Sequence, residues 1–574
     1  MTTVSTPSTP LIPHPRLWLL AALVGACAFR LGFGLCAPLF TEDETQIYLL
    51  GLRFHTTHTW PFFGPDVVWT ESQIPGALQA LLVGLPFEAL PLPEAPYLLL
   101  TLLSTGALAA FAWYLCARLP GLPRWLVWGW LMTLPWTLEL STHIINPSYV
   151  LPASLVFFIA WLEAWPRLST RRLPPAVCHA LMGAAVAWTA QVHMSWPLLV
   201  PFVGLAFLAR IREGRRAVAM AAAAFVAGLL TIGIFVLPTW ITFGLQAGSG
   251  GTGANLDPHW RNPITTVLTT LARLLAFSSY EVNRFLATGS ARQLVFLQQH
   301  WWIAPAAAVL WLTGLLHPLW MGLTAFRRRS AAPDWPAVRW LLLGTATLVS
   351  VSFFFSAAPA QARSFYVVAP VGFLYAAYAW TFIDSRRTRL VAAAVLGINL
   401  FFQTSLAITR LSGPSLYMNR ARVVEALERG RPDLFAHRRP FGRDLTPNML
   451  AAAVEGADAP AHLVVTEAHV SRGIRDLVVW SVVIHNRSER VAYRDLWAET
   501  TYFDRDGHVL ETRQEPVWVV IEPGERRRAQ VVDGARWPPG TARSELRIVD
   551  GAPLPTADGP SRAPQDGVAG VSRP

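Results

Sequence analysis

Long apolar runs, separated by short polar turns that carry arginine, fill the first 410 residues. They lie near 17–36, 95–117, 125–142, 148–165, 175–192, 195–210, 217–241, 301–325, 337–357, 364–383 and 390–408. Each is close to the ~20 residues that a helix needs to cross a bilayer, so the pattern predicts eleven crossings. A further apolar stretch, 74–92, carries Pro75, Pro86, Glu88 and Pro91 and reads as an interfacial segment instead. Beyond Leu463 the period changes to short β-type runs at 463–465, 477–485, 497–503, 517–521 and 545–549. Turn signals stand between them, chiefly Asp504-Arg505-Asp506-Gly507 and Pro523-Gly524. The predicted fold class is a polytopic α-helical membrane protein with a small C-terminal all-β sandwich. Its divisions are a polar tail over 1–14, a transmembrane domain over 15–410, a linker with short helices over 411–460, a β domain over 461–550 and a Pro/Gly-rich tail over 551–574.

Composition agrees with that class. Of 574 residues, 53% are hydrophobic and 14% charged, and all 47 basic residues are arginine. A net charge of +11 invites a nucleic-acid reading. Seventeen of the arginines, among them Arg118, Arg167, Arg171, Arg172, Arg386, Arg387 and Arg389, fall in alternate connections between the apolar runs. Only Glu163, Glu213, Asp334 and Asp384 accompany them, and the rest of the chain is nearly neutral. That distribution is a membrane-orientation signal, and no nucleic-acid partner is expected. It puts the N-terminus in the cytoplasm and everything after Leu411 outside. The four cysteines, Cys27, Cys36, Cys116 and Cys178, lie in or beside apolar runs with no metal-ligand spacing, and read as small core residues.

The first outer connection begins with three consecutive acids, Glu42, Asp43 and Glu44. An ionised carboxylate in hydrocarbon costs roughly 2.5–3.5 kcal/mol, so all three are expected in water at the mouth of the bundle. The bland reading is a solvated helix start, where acids favour the N-terminus. The next features outside are Glu139 and His143, four apart, then Gln191 to Ser195 with His193 among them. The long connection 242–300 opens on a glycine-rich stretch and continues into an interfacial helix from Pro263 to Phe277. His55 and His58 lack the third ligand of a zinc site. Trp60, Trp69, Trp301 and Trp302 read as interfacial aromatics.

One membrane helix, an outer loop opening on an acidic pair, and then an interfacial helix resemble the C-type (GT-C) membrane glycosyltransferases. The likeness is to the bacterial branch of arabinose-to-lipid A, protein O-mannosyl and lipopolysaccharide-core transferases. Asp43-Glu44-Thr45-Gln46-Ile47-Tyr48 matches the first-loop motif of an acidic pair, a spacer and Tyr. Gly51-Leu52-Arg53 and Gln73-Ile74-Pro75-Gly76-Ala77-Leu78 fit the helix and groove that follow, and the resemblance spans about residues 15–410. Where that family often has Arg-Tyr before a proline-containing helix, this chain has Arg363-Ser364-Phe365-Tyr366 before Pro370.

The resemblance implies a polyprenyl-phosphate-linked sugar as donor and an envelope lipid, glycan or protein as acceptor, on the periplasmic face of the bacterial inner membrane. An acceptor hydroxyl is a poor nucleophile and needs a carboxylate to take its proton. Asp43 is the expected base, with Glu44 orienting it or, with Asp43, holding a divalent cation such as Mg or Mn. No other cofactor is implied. The departing lipid phosphate needs a guanidinium clamp, expected at Arg363, with Arg53 and Arg30 as weaker choices. Glu42, Tyr48, Arg53, Glu139, His143, His193, Arg363 and Tyr366 are the expected substrate contacts. The competing class is a transporter or flippase of envelope lipids or glycans, which predicts internal repeats and mid-bilayer charge; the sequence shows neither. The C-terminal runs, with Val482-Val483-Ile484-His485-Asn486 and Tyr502-Phe503-Asp504, resemble the FxLYD-type sandwiches of envelope proteins and imply a recognition or positioning module.

Overall fold

The computed structural model describes residues 15–36, separate positions between 44 and 58, and then 60–67, 72–90, 92, 94–244, 263–286, 290–327, 332–354, 362–411, 459–472, 477–489, 491–517 and 519–555. Two compact units divide the chain, Met1–Met418 and Asn419–Pro574.

The first unit is helical. Every one of the eleven apolar runs contains helix, but only seven described helices are long and apolar enough to cross a membrane. They include Ala95–Arg118, Asn146–Ala164, Arg215–Gly233, Trp335–Phe354 and the span to Arg410. The other four runs are shorter or broken: Arg124–Thr133 with Pro135–Glu139, Pro175–Val192, Trp196–Leu199 with Val200–Ile211, and Ala362–Val368 with Ala369–Trp380. Proline accounts for the first break. It cannot donate an N–H and disfavours helix in the residue before it, and Leu134 is extended at φ −54°, ψ 132°.

Outer helices turn leucine, isoleucine and tryptophan away from the protein: Leu230, Ile234, Leu319, Trp340 and Leu390 are all more than half exposed. An apolar belt of that extent belongs in hydrocarbon. The chain is a polytopic membrane protein. Asn146–Ala164 and Ala369–Trp380 are by contrast almost wholly buried and form the centre. Indole N–H groups inside find carbonyl partners, Trp161 on Phe202 at 2.7 Å and Trp130 on Ser278 at 3.0 Å. Helices Pro175–Val192 and Arg215–Gly233 cross where Gly183 and Gly228 face each other's backbone, and a Cβ at Gly228 would stand 1.8 Å from the Ala180 carbonyl.

The stretch expected at the interface, 74–92, forms a short helix, Leu78–Ala89, with one buried face. A two-stranded antiparallel sheet, β1 (Phe63–Val67) with β2 (Ser72–Pro75), precedes it. The interfacial helix of the long connection is present as Pro263–Ala276. The glycine-rich stretch before it and the helix-prone piece 421–429 lie outside the described residues.

The described residues of the second unit hold six strands: β3 (Leu463–Arg472), β4 (Leu477–Asn486), β5 (Val491–Phe503), β6 (Val509–Val517), β7 (Arg526–Arg536) and β8 (Arg543–Pro555). They form two antiparallel sheets, ordered β3-β4-β7 and β6-β5-β8. Alternation along β4 sends Val478, Trp480, Val482 and Ile484 into one core with Tyr493, Leu496 and Tyr502 of β5. Of the expected run 517–521, Val517 ends β6 and Ile521 makes a single bridge to Tyr493. The strands there are β6 and the arginine-rich β7.

Candidate active site

Glu44 is fully buried, contrary to the expectation of an acid in water. The reason is a set of donors that replaces solvent. The Tyr97 hydroxyl donates to its Oε1 at 2.5 Å and the Ile144 backbone N–H approaches the same oxygen at 3.4 Å. His143 Nδ1 lies 4.0 Å from Oε2. The segment that carries Glu44 is helical at Glu44, Ile47, Tyr48 and Gly51. It packs closely on Leu78–Ala89, because Gly51 meets Val83 and Gly84 with no room for a Cβ, which would lie 2.4 Å from Val83. The Tyr48 ring is buried edge-on against Phe87, at 5.5 Å between centroids, and so forms part of the wall that holds Glu44.

From the opposite side come Glu139 and His143, which do meet: His143 Nε2 is 3.7 Å from Glu139 Oε2. Arg410, in the last turn of Arg386–Leu411, reaches Glu139 Oε1 with both terminal nitrogens at 3.1 Å and the Phe285 carbonyl at 2.8 Å. The result is a continuous array, Tyr97–Glu44–His143–Glu139–Arg410, built from segments hundreds of residues apart. Beside it, the wholly buried Tyr149 lies within electrostatic reach of Glu44, and its hydroxyl has no hydrogen-bond partner among the described residues; the same holds for the Ser148 hydroxyl.

Arg30 is what shapes the turn that presents Glu139 and His143. It neither snorkels nor clamps phosphate, as a lone arginine in an apolar run was expected to, but is fully buried. The break at Pro135 releases three carbonyls of the preceding helix. Thr137 Oγ1 takes Leu131 at 3.0 Å, Arg30 takes Met132 at 3.0 Å and Asn399 takes Thr133 at 2.8 Å. Arg30 also binds the Thr137 carbonyl at 3.1 Å and the Ser141 hydroxyl. A Trp136 N–H to Glu281 bond of 3.1 Å ties the long connection to the same turn, and burial raises the Glu281 carboxyl above the usual range.

Arg363 is exposed on Ala362–Val368, whereas Tyr366, one turn on, is buried with its hydroxyl 3.3 Å from the Trp136 carbonyl. His193 follows the last turn of Pro175–Val192. Burial, with Arg363 acting in the same direction, pushes its imidazole down to about 4. Nδ1 accepts the Ser195 N–H at 3.1 Å, as suits the neutral ring. Glu42, Asp43 and Arg53 lie outside the described residues. Tyr97 and Arg410 were not anticipated. Their signal was present but weak: a tyrosine entering an apolar helix, and an arginine closing the last one.

Asp43, expected to hold a divalent cation together with Glu44, lies outside the described residues. A cation wants several oxygen ligands, and Glu44 is met by a phenol O–H, a backbone N–H and an imidazole. The His55 and His58 rings both turn to Glu88 instead, at 2.9 and 3.7 Å. Among the described residues, the group that could gather around a metal is Asp504, Asp506 and His508, a turn of the β unit closed by its own hydrogen bonds.

No family model matches the chain, and no curated protein matches it. Among solved structures it is similar to ArnT from Cupriavidus metallidurans, solved bound to undecaprenyl phosphate. The identity is 10% and the TM-score 0.46, over 73% of this chain and 80% of that one. It is also similar to the arabinosyltransferase EmbB from Mycobacterium smegmatis, at 11% identity and a TM-score of 0.37, over 96% of this chain and 66% of that one. A likeness of this degree concerns the general helical plan and says nothing of substrate or catalytic residues.

Proposed function

We propose that the chain is an integral membrane glycosyltransferase that moves a sugar from a polyprenyl-phosphate donor to a cell-envelope acceptor, at the periplasmic face of the bacterial inner membrane. The observation that carries the reading is the buried Glu44 with Tyr97, His143 and Ile144 converging on it, one residue after the acid suited to be the base. Burying a carboxylate in a membrane protein is costly. A chain keeps such an arrangement where it positions a reacting neighbour.

In this mechanism Asp43 accepts the proton of the acceptor hydroxyl as its oxygen forms the bond to the anomeric carbon. The bond from that carbon to the phosphate oxygen breaks, and its electron pair leaves with the lipid phosphate. Arg363, exposed at its turn, meets the growing charge. Glu44, fixed by Tyr97, orients Asp43, and no step is assigned to a metal. The orphan hydroxyls of Ser148 and Tyr149 are suited to partner the hydroxyls of a bound sugar. Asp43→Asn tests the base. Intact-mass analysis of envelope glycans should show the modification lost while the variant accumulates normally in the membrane. Normal modification would end the assignment.

A further inference from the structure

A cavity lies among the arginine-bearing turns, and the array around Glu44 takes no part in it. It encloses about 570 Å³ between the turns 118–122, 167–170, 332–334 and 381–384, within the range of small-molecule sites. Its walls are of two kinds. Leu119, Leu122, Leu168 and Pro333 are apolar, while Arg118, Asp334 and Arg167 are charged.

The deep polar groups are satisfied internally. Arg118 donates to Asp334 at 2.6 Å, to Tyr378 at 2.6 Å and to Tyr114 at 2.9 Å. The second lining acid, Asp384, is held by Arg389 at 2.6 Å. Glu163 fixes the turn 169–172 from below, taking the Thr170 hydroxyl at 2.5 Å and the Arg172 N–H at 2.9 Å. The rim is different. Arg167 lines the mouth and Arg171 follows the lining Thr170; both are exposed, and no described acid pairs with either. Arg171 is also held at φ +57°, a conformation that costs a non-glycine residue energy and persists where the surroundings impose it. A preformed pocket with an apolar wall, one uncompensated arginine in its lining, Arg167, and a second exposed arginine next in sequence to the lining Thr170 is complementary to an amphipathic anion.

We infer that this cavity binds the phosphate headgroup of a membrane lipid, with Arg167 and Arg171 on the phosphate and the leucine wall against the first carbons of its tail. Guanidinium pairs suit phosphate oxygens, and basic pockets between membrane helices take anionic headgroups. The site is separate from the proposed reaction and stands whether or not that reading does.

The test is native mass spectrometry on the purified, delipidated full chain. Phosphatidylglycerol, an isoprenyl phosphate, phosphatidylcholine and inorganic phosphate are titrated in turn. Phosphatidylglycerol or the isoprenyl phosphate should bind in preference to phosphatidylcholine, and the stronger of the two identifies the source of the lipid. Arg167→Ala with Arg171→Ala should weaken that binding about tenfold or more, and Ala332→Trp, which narrows the cavity without changing charge, should also weaken it. Arg212→Ala with Arg216→Ala removes two exposed arginines from another turn and should leave binding unchanged. An equal loss in the two double variants, saturation by inorganic phosphate alone, or no lipid preference would each overturn the inference. All the exchanged arginines are exposed, and unchanged thermal unfolding of the variants separates lost binding from lost folding.

Discussion

Glu44 and Glu163 are both buried carboxylates of the helical unit, and they are satisfied in opposite ways. Glu163 ends its helix and is wrapped by the loop that follows it. Thr170 and Arg172 give backbone N–H groups at 3.2 and 2.9 Å, Thr170 and Ser169 give hydroxyls, and Tyr114 adds another at 2.7 Å. Most of these donors lie within nine residues of Glu163 in sequence, so little loop-closure entropy is needed to collect them. Among the described residues, Glu44 takes the Tyr97 hydroxyl. Its other neighbours come from residues 143 and 144, and Arg410 reaches it only through Glu139 and His143. A carboxylate that merely finishes a helix is served by its own loop. One that is met from distant segments of the bundle is the one placed in the proposed site.

The comparison breaks first at activity. Glu44→Gln should lower sugar transfer by at least about 100-fold, while Glu163→Gln leaves transfer intact and lowers only the unfolding temperature. Equal effects on transfer would erase the distinction. Next in size is Arg410→Ala, which strands Glu139 in the interior. A cost of about 3–5 kcal/mol is expected, read by thermal unfolding in detergent, and Glu139→Gln in the same chain should restore most of it. Tyr97→Phe removes the hydroxyl donated to Glu44 and should cost about 1.5–3 kcal/mol. Tyr114→Phe should cost less, because Glu163 keeps its other donors.

The smallest effect concerns pH. The folded imidazole of His193 titrates at about 4, below its unfolded value of ~6.5. Below the unfolded value the unfolded chain binds the extra proton, so stability is fully present above about pH 6.5 and is lost as pH falls toward 4. A loss of about 1 kcal/mol by about pH 5.7 is expected, and it should vanish in His193→Gln.

Much of the fold was legible because hydropathy is a local property. The run near 95–117 became Ala95–Arg118, and Pro263 to Phe277 became Pro263–Ala276. The misses were places where a local rule yielded to a distant partner. Arg526, Arg527 and Arg528 hid β7, whose pairing with Ile484 and His485 of β4 supplies what the polar sequence does not advertise.

The site divides in the same manner. That acids, a histidine and arginines would gather at helix ends followed from the cost of placing charge in hydrocarbon, which each residue bears wherever the chain goes. The pairing of Glu139 with His143 was expected from their spacing, but the helix ends at Glu139 and the turn after it brings His143 back to 3.7 Å. Whether Glu44 faced water or protein could not follow, because its burial depends on a hydroxyl 53 residues away and a backbone N–H 100 residues away. Arg30 shows it most plainly: the carbonyls it satisfies exist as acceptors only because Pro135, on another helix, breaks there. Hydrophobic spacing determined where the helices lie, though not which of them are long enough to span or where proline breaks them. The packing of the bundle decided which polar groups meet, since a hydrogen bond depends on three-dimensional distance and not on sequence separation.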